Sequence, residues 1–503
     1  MDELTEARAE LALLEDQERQ LLERLRNVRS AIQVQKKRIG ELIKHAKNHP
    51  ISRLPVTTLY QIISLVVNGC TGSPAFAHRR TKRLLASVSR RWRNVILTSP
   101  DLWTNIAISP GWSASLVRTH VKRSRECSLD IELSYWYHEE EFSLRFFQLL
   151  GLVISCGYRW RSLMIQHNNE KLEERIIGSI WNVMFSSLKR VTIHITQQSD
   201  YPPFLGPQHA HTLEDLDLEE GIRVDNLSAA ASLKSLRLKY SLLMAPRLPS
   251  IMSLRALTIC GSNCGALLPE SIHLPLLETL TVALDDPQSF LLAIVTPRLG
   301  YFMWSSPTAD VSWSKTFAGL GGKFPNVQHL CLQHSPSSLA HAGIKDAAPV
   351  YAAFPGVRHM EMHTLDFLPF CVVAEEDGST LSTADRWTHL EHLSLEKFGR
   401  FDPNNILVKW LRIRKLRGRP PLQVTLSGFN TKGLVLNSPW LISLYNSLCE
   451  CCVLELKHLP LTFNINLTLR PSDSDVYGNP PIIGMVESTI RSELERASTG
   501  TYG

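Results

Sequence analysis

Cysteine and histidine groups at short spacing are the residues of this chain that could bind metal or act as nucleophiles. Cys449, Cys451 and Cys452 sit almost side by side, but a thiolate zinc site needs a second pair of ligands and only His458 follows nearby. Buried thiols are the expectation there. The segment His359-Met360-Glu361-Met362-His363 offers two imidazoles and a carboxylate, although not in the order of a zinc protease helix. Its alternation predicts a strand, on which His359 and His363 share a face but stand far apart. Gly319-Leu320-Gly321-Gly322-Lys323 is followed by Phe324 where a phosphate loop needs Ser or Thr. Asn226-Leu227-Ser228 and Asn466-Leu467-Thr468 match the glycosylation pattern, which carries meaning only in a secreted chain. No nucleophile and base stand at a defensible spacing. The expectation is therefore no catalytic residue, no cofactor and no metal site.

Two basic runs offer electrostatic chemistry. Arg79, Arg80, Lys82, Arg83, Arg90, Arg91 and Arg93 have no acid between them, and Leu411-Arg412-Ile413-Arg414-Lys415-Leu416-Arg417-Gly418-Arg419 is a second cluster. Each reads either as a solvated face or as a surface for an acidic partner, the second also as a nuclear signal. Nucleic-acid binding ranks behind these readings, because a net charge of +6 and a pI near 8.7 are mild for 503 residues.

The elements that would position such groups follow from composition. With 44% hydrophobic and 20% charged residues the chain is globular, and its length suggests about three domains. The longest apolar runs, such as Leu291 to Val295, are core-sized, so a membrane helix is not expected. The acidic start Met1-Asp2-Glu3-Leu4-Thr5-Glu6 lacks a charged-then-apolar leader, and a cytoplasmic or nuclear protein is expected. The 10 cysteines then read as small buried hydrophobes rather than a disulfide framework.

Residues 1–48 are densely charged and contain no Pro, and their composition breaks at Asn48-His49-Pro50. Apolar residues recur in a heptad frame through Leu4, Leu11, Leu25, Ile32, Ile39 and Ala46 at one position and Ala7, Leu14, Leu21, Val28 and Leu42 at the other. Only Glu18 and Gln35 interrupt this seam. A stripe of period 3.5 is buried by a partner helix, so residues 1–48 read as a coiled coil, open to a homodimer. A lone charged helix, or one folded back on the body, is the other reading.

Residues 51–108 read as short helices. Leu54-Pro55 suits a helix start, with Leu59, Ile62, Ile63, Val66 and Val67 at helical spacing behind it. A loop is expected through Asn68 to Thr81, then a second helix from Leu84 to Leu97, then a turn at Ser99-Pro100-Asp101-Leu102-Trp103. The order Leu54-Pro55, Leu84-Leu85, Val88-Ser89-Arg90-Arg91-Trp92-Arg93, Ser99-Pro100 and Leu102-Trp103 resembles the F-box, in the mushroom-type fungal variant that follows a charged coiled coil. Val56-Thr57-Thr58-Leu59 departs from the usual Pro-Glu-Ile-Leu. The resemblance covers residues 1 to about 110. It implies a three-helix module that packs on the Skp-type adaptor of a cullin–RING ubiquitin ligase, through Leu54, Pro55, Leu59, Ile62, Ile63, Leu85, Val88, Trp92, Leu102 and Trp103. Trp92 and Trp103 serve either as docking anchors or as the module's internal core.

Residues 120–460 repeat. Cys127 to Leu133 alternates as a strand, and apolar-x-x-apolar-x-apolar triplets begin at Trp160, Leu188, Leu213, Leu233, Leu254, Leu277, Leu299, Val327, Val357 and Leu390. From Leu188 to Leu299 the spacings are 25, 20, 21, 23 and 22 residues, within the range of leucine-rich repeats. Pro275, Pro297, Pro325 and Pro355 each stand two residues before a triplet, where Pro biases the preceding chain toward an extended strand. Each unit should place one parallel strand with its triplet inward. Its outward residues alternate in charge, acidic after Leu213 and basic after Leu233. The usual Asn after the third apolar position appears only as Asn168, so the repeat is irregular. Residues 471–503 are Pro-, Ser- and Asp-rich and read as a partly disordered tail.

The expected fold is thus a mainly α N-terminus, coiled-coil helix plus three-helix F-box, followed by an α/β leucine-rich-repeat-like solenoid. The function this implies is a non-catalytic substrate-recognition adaptor, its repeats holding an unnamed protein substrate. A leucine-rich interaction scaffold that recruits no ligase is the alternative.

Overall fold

The computed structural model describes residues 2–47, 54–69, 74–109, 111–134, 141–166, 170–194, 205–206, 208–218, 232–240, 251–263, 267–305, 313–333, 347–371, 382–396, 406–427 and 439–457. The expected tail, Asn168, Cys70 and Cys264 lie outside them. The chain divides into two units, Met1–Ile106 with Arg118–Cys127, and Ala107–Val117 with Ser128–Gly503.

In the first unit, helix α1 runs Asp2–Lys47, with Asp2 and Glu3 in the first turn where the helix dipole favours acids. The expected seam lies along it exposed: Leu11, Leu14, Leu21, Leu25, Val28, Ile32, Ile39 and Leu42. Helix α2 covers Val56–Asn68, and Pro55 caps it as the last non-helical residue rather than opening it. The Leu59 amide donates to the Pro55 carbonyl at 3.0 Å.

The next stretch differs from expectation at both ends. Helix α3 begins at Pro74 and runs to Val88, well inside the expected loop. Pro is preorganised for a first helical position, and no breaker follows it before Ser89. There the helix stops, because Ser89 is extended (φ −159°, ψ 166°) and its hydroxyl accepts from the Trp92 amide at 3.2 Å. This N-cap starts a separate helix, α4, Arg90–Thr98, so the expected single helix is two. A 3-10 turn, Pro100–Trp103, follows. Leu59, Ile63 and Val67 of α2 pack with Trp92, Val95 and Ile96 of α4 and with Leu102 and Trp103, while Tyr60, Leu85 and Ala86 close the edge.

The second unit is built on strands. The described residues place fourteen in one sheet: β1 (Asn105–Ile108), β2 (Leu129–Ser134), β3 (Trp160–Gln166), β4 (Arg190–His194), β5 (Asp215–Leu218), β6 (Ser235–Tyr240), β7 (Ala256–Asn263), β9 (Thr279–Asp286), β11 (Tyr301–Ser305), β12 (His329–Gln333), β13 (His359–His363), β14 (His392–Glu396), β15 (Gln423–Leu426) and β16 (Val453–Leu456). They lie side by side in chain order, and the pairings from β2 to β16 are parallel. Strands β8 (Ile272–His273) and β10 (Ile294–Val295) form a separate parallel pair. Parallel neighbours need a crossover, which the spacings above supply.

The triplets do what their pattern requires. Leu188, Leu213, Leu233, Leu254, Leu277, Leu299, Val327, Val357 and Leu390 are buried, as are the second and third members on each strand, such as Leu330 with Leu332 and Leu393 with Leu395. The intervening residues are half-buried on β9, β11, β13 and β14, so the sheet has one core face and one wetter face.

A recurring backbone device sets the register. The Lys189, Glu214, Lys234, Arg255, Glu278, Gly300, Gln328 and Arg358 carbonyls each accept from two consecutive amides of the next unit. Later units fill the core with rings. Phe302 lies against Phe324 and Phe354, and Phe367 against Phe370 and Trp410.

Candidate functional site

In the helical module, the residues expected to dock on a partner divide by burial. Leu59, Ile63, Trp92, Leu102 and Trp103 form the module's own core. Leu54, Ile62 and Leu85 are half-buried, whereas Pro55 and Val88 are exposed. Val56, Leu65, Leu84 and Leu97, none of them in the expected docking set, are exposed apolar side chains beside them; Val66, expected only at helical spacing, is exposed too. Their signal was present, since they extend the helical apolar pattern beyond one face.

Trp103 is held tightly. Its indole Nε1 donates to the Ile96 carbonyl at 2.8 Å, and the His120 ring meets it edge-on at 4.9 Å between centroids. Lys82 and Arg123 lie over its face at 4.9 and 4.4 Å. Lys82 is buried and donates to the Leu102 carbonyl at 2.7 Å. Burial pulls its ammonium down to about 8. Burial first, then the Lys82 charge, push the His120 imidazole down to about 3. The first basic run is thus not one solvent patch. Lys82 faces inward, Arg91 donates to the Leu54 carbonyl and Arg93 to that of Ala86 at 3.2 Å, while Arg80, Arg83 and Arg90 remain exposed.

On the second unit the wetter sheet face carries the polar chemistry. Paired charges lie on its early strands and on the residues that lead into them. Arg161 meets Asp130, Arg190 meets Asp215 at 3.4 Å, and Arg255 meets Glu278 at 2.7 Å. Glu214 stands between Lys234 at 3.1 Å and Lys189 at 3.6 Å, and the Lys234 hydrogen bond leads in holding its carboxyl below the usual range. The expected complementarity of adjacent strands is present.

Further along, one register line crosses four strands through Tyr301, His329, His359 and His392. Their rings form a ladder with centroid separations of 4.8, 5.7 and 4.4 Å. His329 Nε2 faces Glu361 at 3.7 Å, and that contact holds the Glu361 carboxyl below its ordinary value. Burial, then His392 and His329, lower the His359 imidazole. Glu391 joins the line's end, because its amide and that of His392 share the Arg358 carbonyl. One ligand atom each from His359, Glu391 and His392 falls within 4.8 Å of the others. Among the described residues this is the one cluster with metal-ligand character.

The histidines escaped notice because they were read along the chain, where His359 and His363 stand far apart on β13 as expected. They occupy the same place in successive repeats, two residues after Val327, Val357 and Leu390. That shared phase was the available signal.

The other sequence candidates are used internally. Cys451 and Cys452 are buried as expected, whereas Cys449, at the end of its helix, is exposed; burial pushes the Cys452 thiol up to about 12. In the second basic run Arg414 is buried, Arg412 and Lys415 reach Glu450, and Arg417 pairs with Asp385. No helix of the described residues is long and apolar enough to cross a membrane. No protein-family model matches the chain, and no curated protein matches it either.

Proposed function

We propose that the chain is a non-catalytic substrate-recognition adaptor of a cullin–RING ubiquitin ligase. Its helical module recruits the Skp-type adaptor, and its repeats, an irregular leucine-rich-repeat-like solenoid, hold the protein to be ubiquitinated. The observation that carries this reading is the module itself. It closes a core around Trp92 and Trp103, yet leaves Pro55, Val56, Leu65, Leu84 and Val88 exposed on helices whose sequence order resembles the F-box. Exposed apolar side chains beside Arg80, Arg83 and Arg90 suit an acidic partner with an apolar docking groove. The docking set then shifts from the buried tryptophans to this exposed group, with the tryptophans fixing its shape. A second copy of the chain covers the α1 seam.

The sheet's wetter face supplies the substrate surface, as the strand faces of solenoids do. The test is capture of purified Skp-type adaptor by the full-length chain, beside Val88→Glu and Leu84→Glu variants checked by circular dichroism. Capture by the wild type and loss in folded variants is expected. No capture by the wild type would leave the interaction scaffold as the function.

A further inference from the structure

We propose that His359, His392 and Glu391 form a binding site for a zinc-class divalent metal ion on the wetter face of strands β13 and β14. The inference stands apart from ligase recruitment, which involves the other unit.

The donor set is the first argument. Two imidazoles and one carboxylate suit borderline ions of the zinc, cobalt and nickel group, and three protein ligands leave a position for water or a partner's side chain. Placement is the second. Strand pairing fixes His359 opposite His392, with ring centroids 4.4 Å apart. Glu391 is brought alongside by the two-amide turn on the Arg358 carbonyl. Tetrahedral ligation at about 2.0–2.1 Å needs donor atoms roughly 3.3 Å apart. From a cluster within 4.8 Å, side-chain rotation alone closes that gap without moving the sheet.

Competition is the third argument. Glu391 meets Arg358 at 3.5 Å, but both side chains are about half exposed (53% and 48%). Such a contact contributes little and yields readily to a metal ion. The two histidines are half-buried, so packing on the sheet holds their rings in place. His329, 5.7 Å from His359 between centroids, packs the ring from the other side and limits its orientation.

The experiment uses the full-length protein stripped with chelator, then titrated with Co²⁺ by visible absorption and with Zn²⁺ by calorimetry. The wild type, His359→Ala, His392→Ala, Glu391→Gln and, as a control elsewhere on the same sheet, His194→Ala are compared, with folding checked by circular dichroism. We expect one Co²⁺ equivalent with visible bands. Each histidine variant should weaken it by more than the ~10–100-fold that follows loss of an outer-sphere contact. Glu391→Gln should weaken it too, and His194→Ala should leave it unchanged. Glu391 is exposed, so this variant tests the site even if a histidine variant misfolds. A wild type that binds neither ion, or Glu391→Gln and the folded histidine variants with unaltered isotherms, overturns the proposal.

Discussion

The Trp410 indole Nε1 donates to Asp385 Oδ1 at 3.1 Å, joining helix Thr383–Arg386 to helix Ile406–Leu416 inside the second unit. Asp385 is almost fully buried, and its other oxygen accepts from Ser382 Oγ at 2.9 Å and Arg417 at 2.7 Å. The carboxylate is thus satisfied on both oxygens, which is the condition under which a buried charge is tolerated.

Removing it reverses that balance. Asp385→Ala should cost about 3–5 kcal/mol, because the Trp410 N–H and the Arg417 guanidinium lose their acceptor. Asp385→Asn keeps the shape and should cost less. Urea unfolding of the two variants measures the difference, and equal midpoints for both would contradict this account.

Gly356 is a packing constraint of another kind. A Cβ there would stand 2.3 Å from the backbone oxygen of Pro325 in the preceding unit. Backbone cannot swing aside as a side chain can, so Gly356→Ala should cost about 1–3 kcal/mol. Gly321→Ala, where nothing lies within 4 Å, is the matched control and should move the thermal midpoint little.

Much of this architecture was readable from local chemistry. The triplets and the prolines before Leu277, Leu299, Val327 and Val357 mark the strand positions, because burial on a period of two leaves little choice of face. The break at Ser89 was less visible. Its capping hydrogen bond depends on one extended residue inside a helical apolar pattern, and apolar period alone does not register it. The histidine ladder was hidden for a different reason: it forms across strands, and residues on different strands carry no sequence proximity. Asp385 with Trp410 was hidden likewise, being 25 residues apart.

Lys82 and His120 give the helical module a pH dependence whose sign is the same at both ends. Between pH 3 and 6.5 the unfolded chain protonates His120 and the folded one does not, so acid destabilises the module, by about 5 kcal/mol at the lower limit. Between pH 8 and 10.5 the folded module has released the Lys82 proton and the unfolded chain has not. Stability therefore rises with pH there, by up to about 3 kcal/mol. Pulse proteolysis in urea, read on peptides spanning residues 90–103, checks both limbs. Lys82→Met should abolish the alkaline rise and reduce the acid loss without removing it, because burial leads in lowering His120 and the Lys82 charge comes second; a rise of unchanged size in that variant would assign it elsewhere.

The α1 seam yields the last prediction. Leu21 and Leu25 are 63% and 46% exposed, and a 46-residue helix with such a stripe gains most by pairing with its like. Sedimentation equilibrium of the full chain should show a dimer, and Leu21→Asp with Leu25→Asp should return it to monomer without altering the rest of the fold. Gln35 interrupts the stripe at a seam position, where a polar residue sets register at the expense of stability. Gln35→Leu should therefore tighten the dimer while loosening its choice of register. A wild type that sediments as a monomer at every concentration, or a double aspartate variant that stays dimeric, would show that the seam does not mediate self-association.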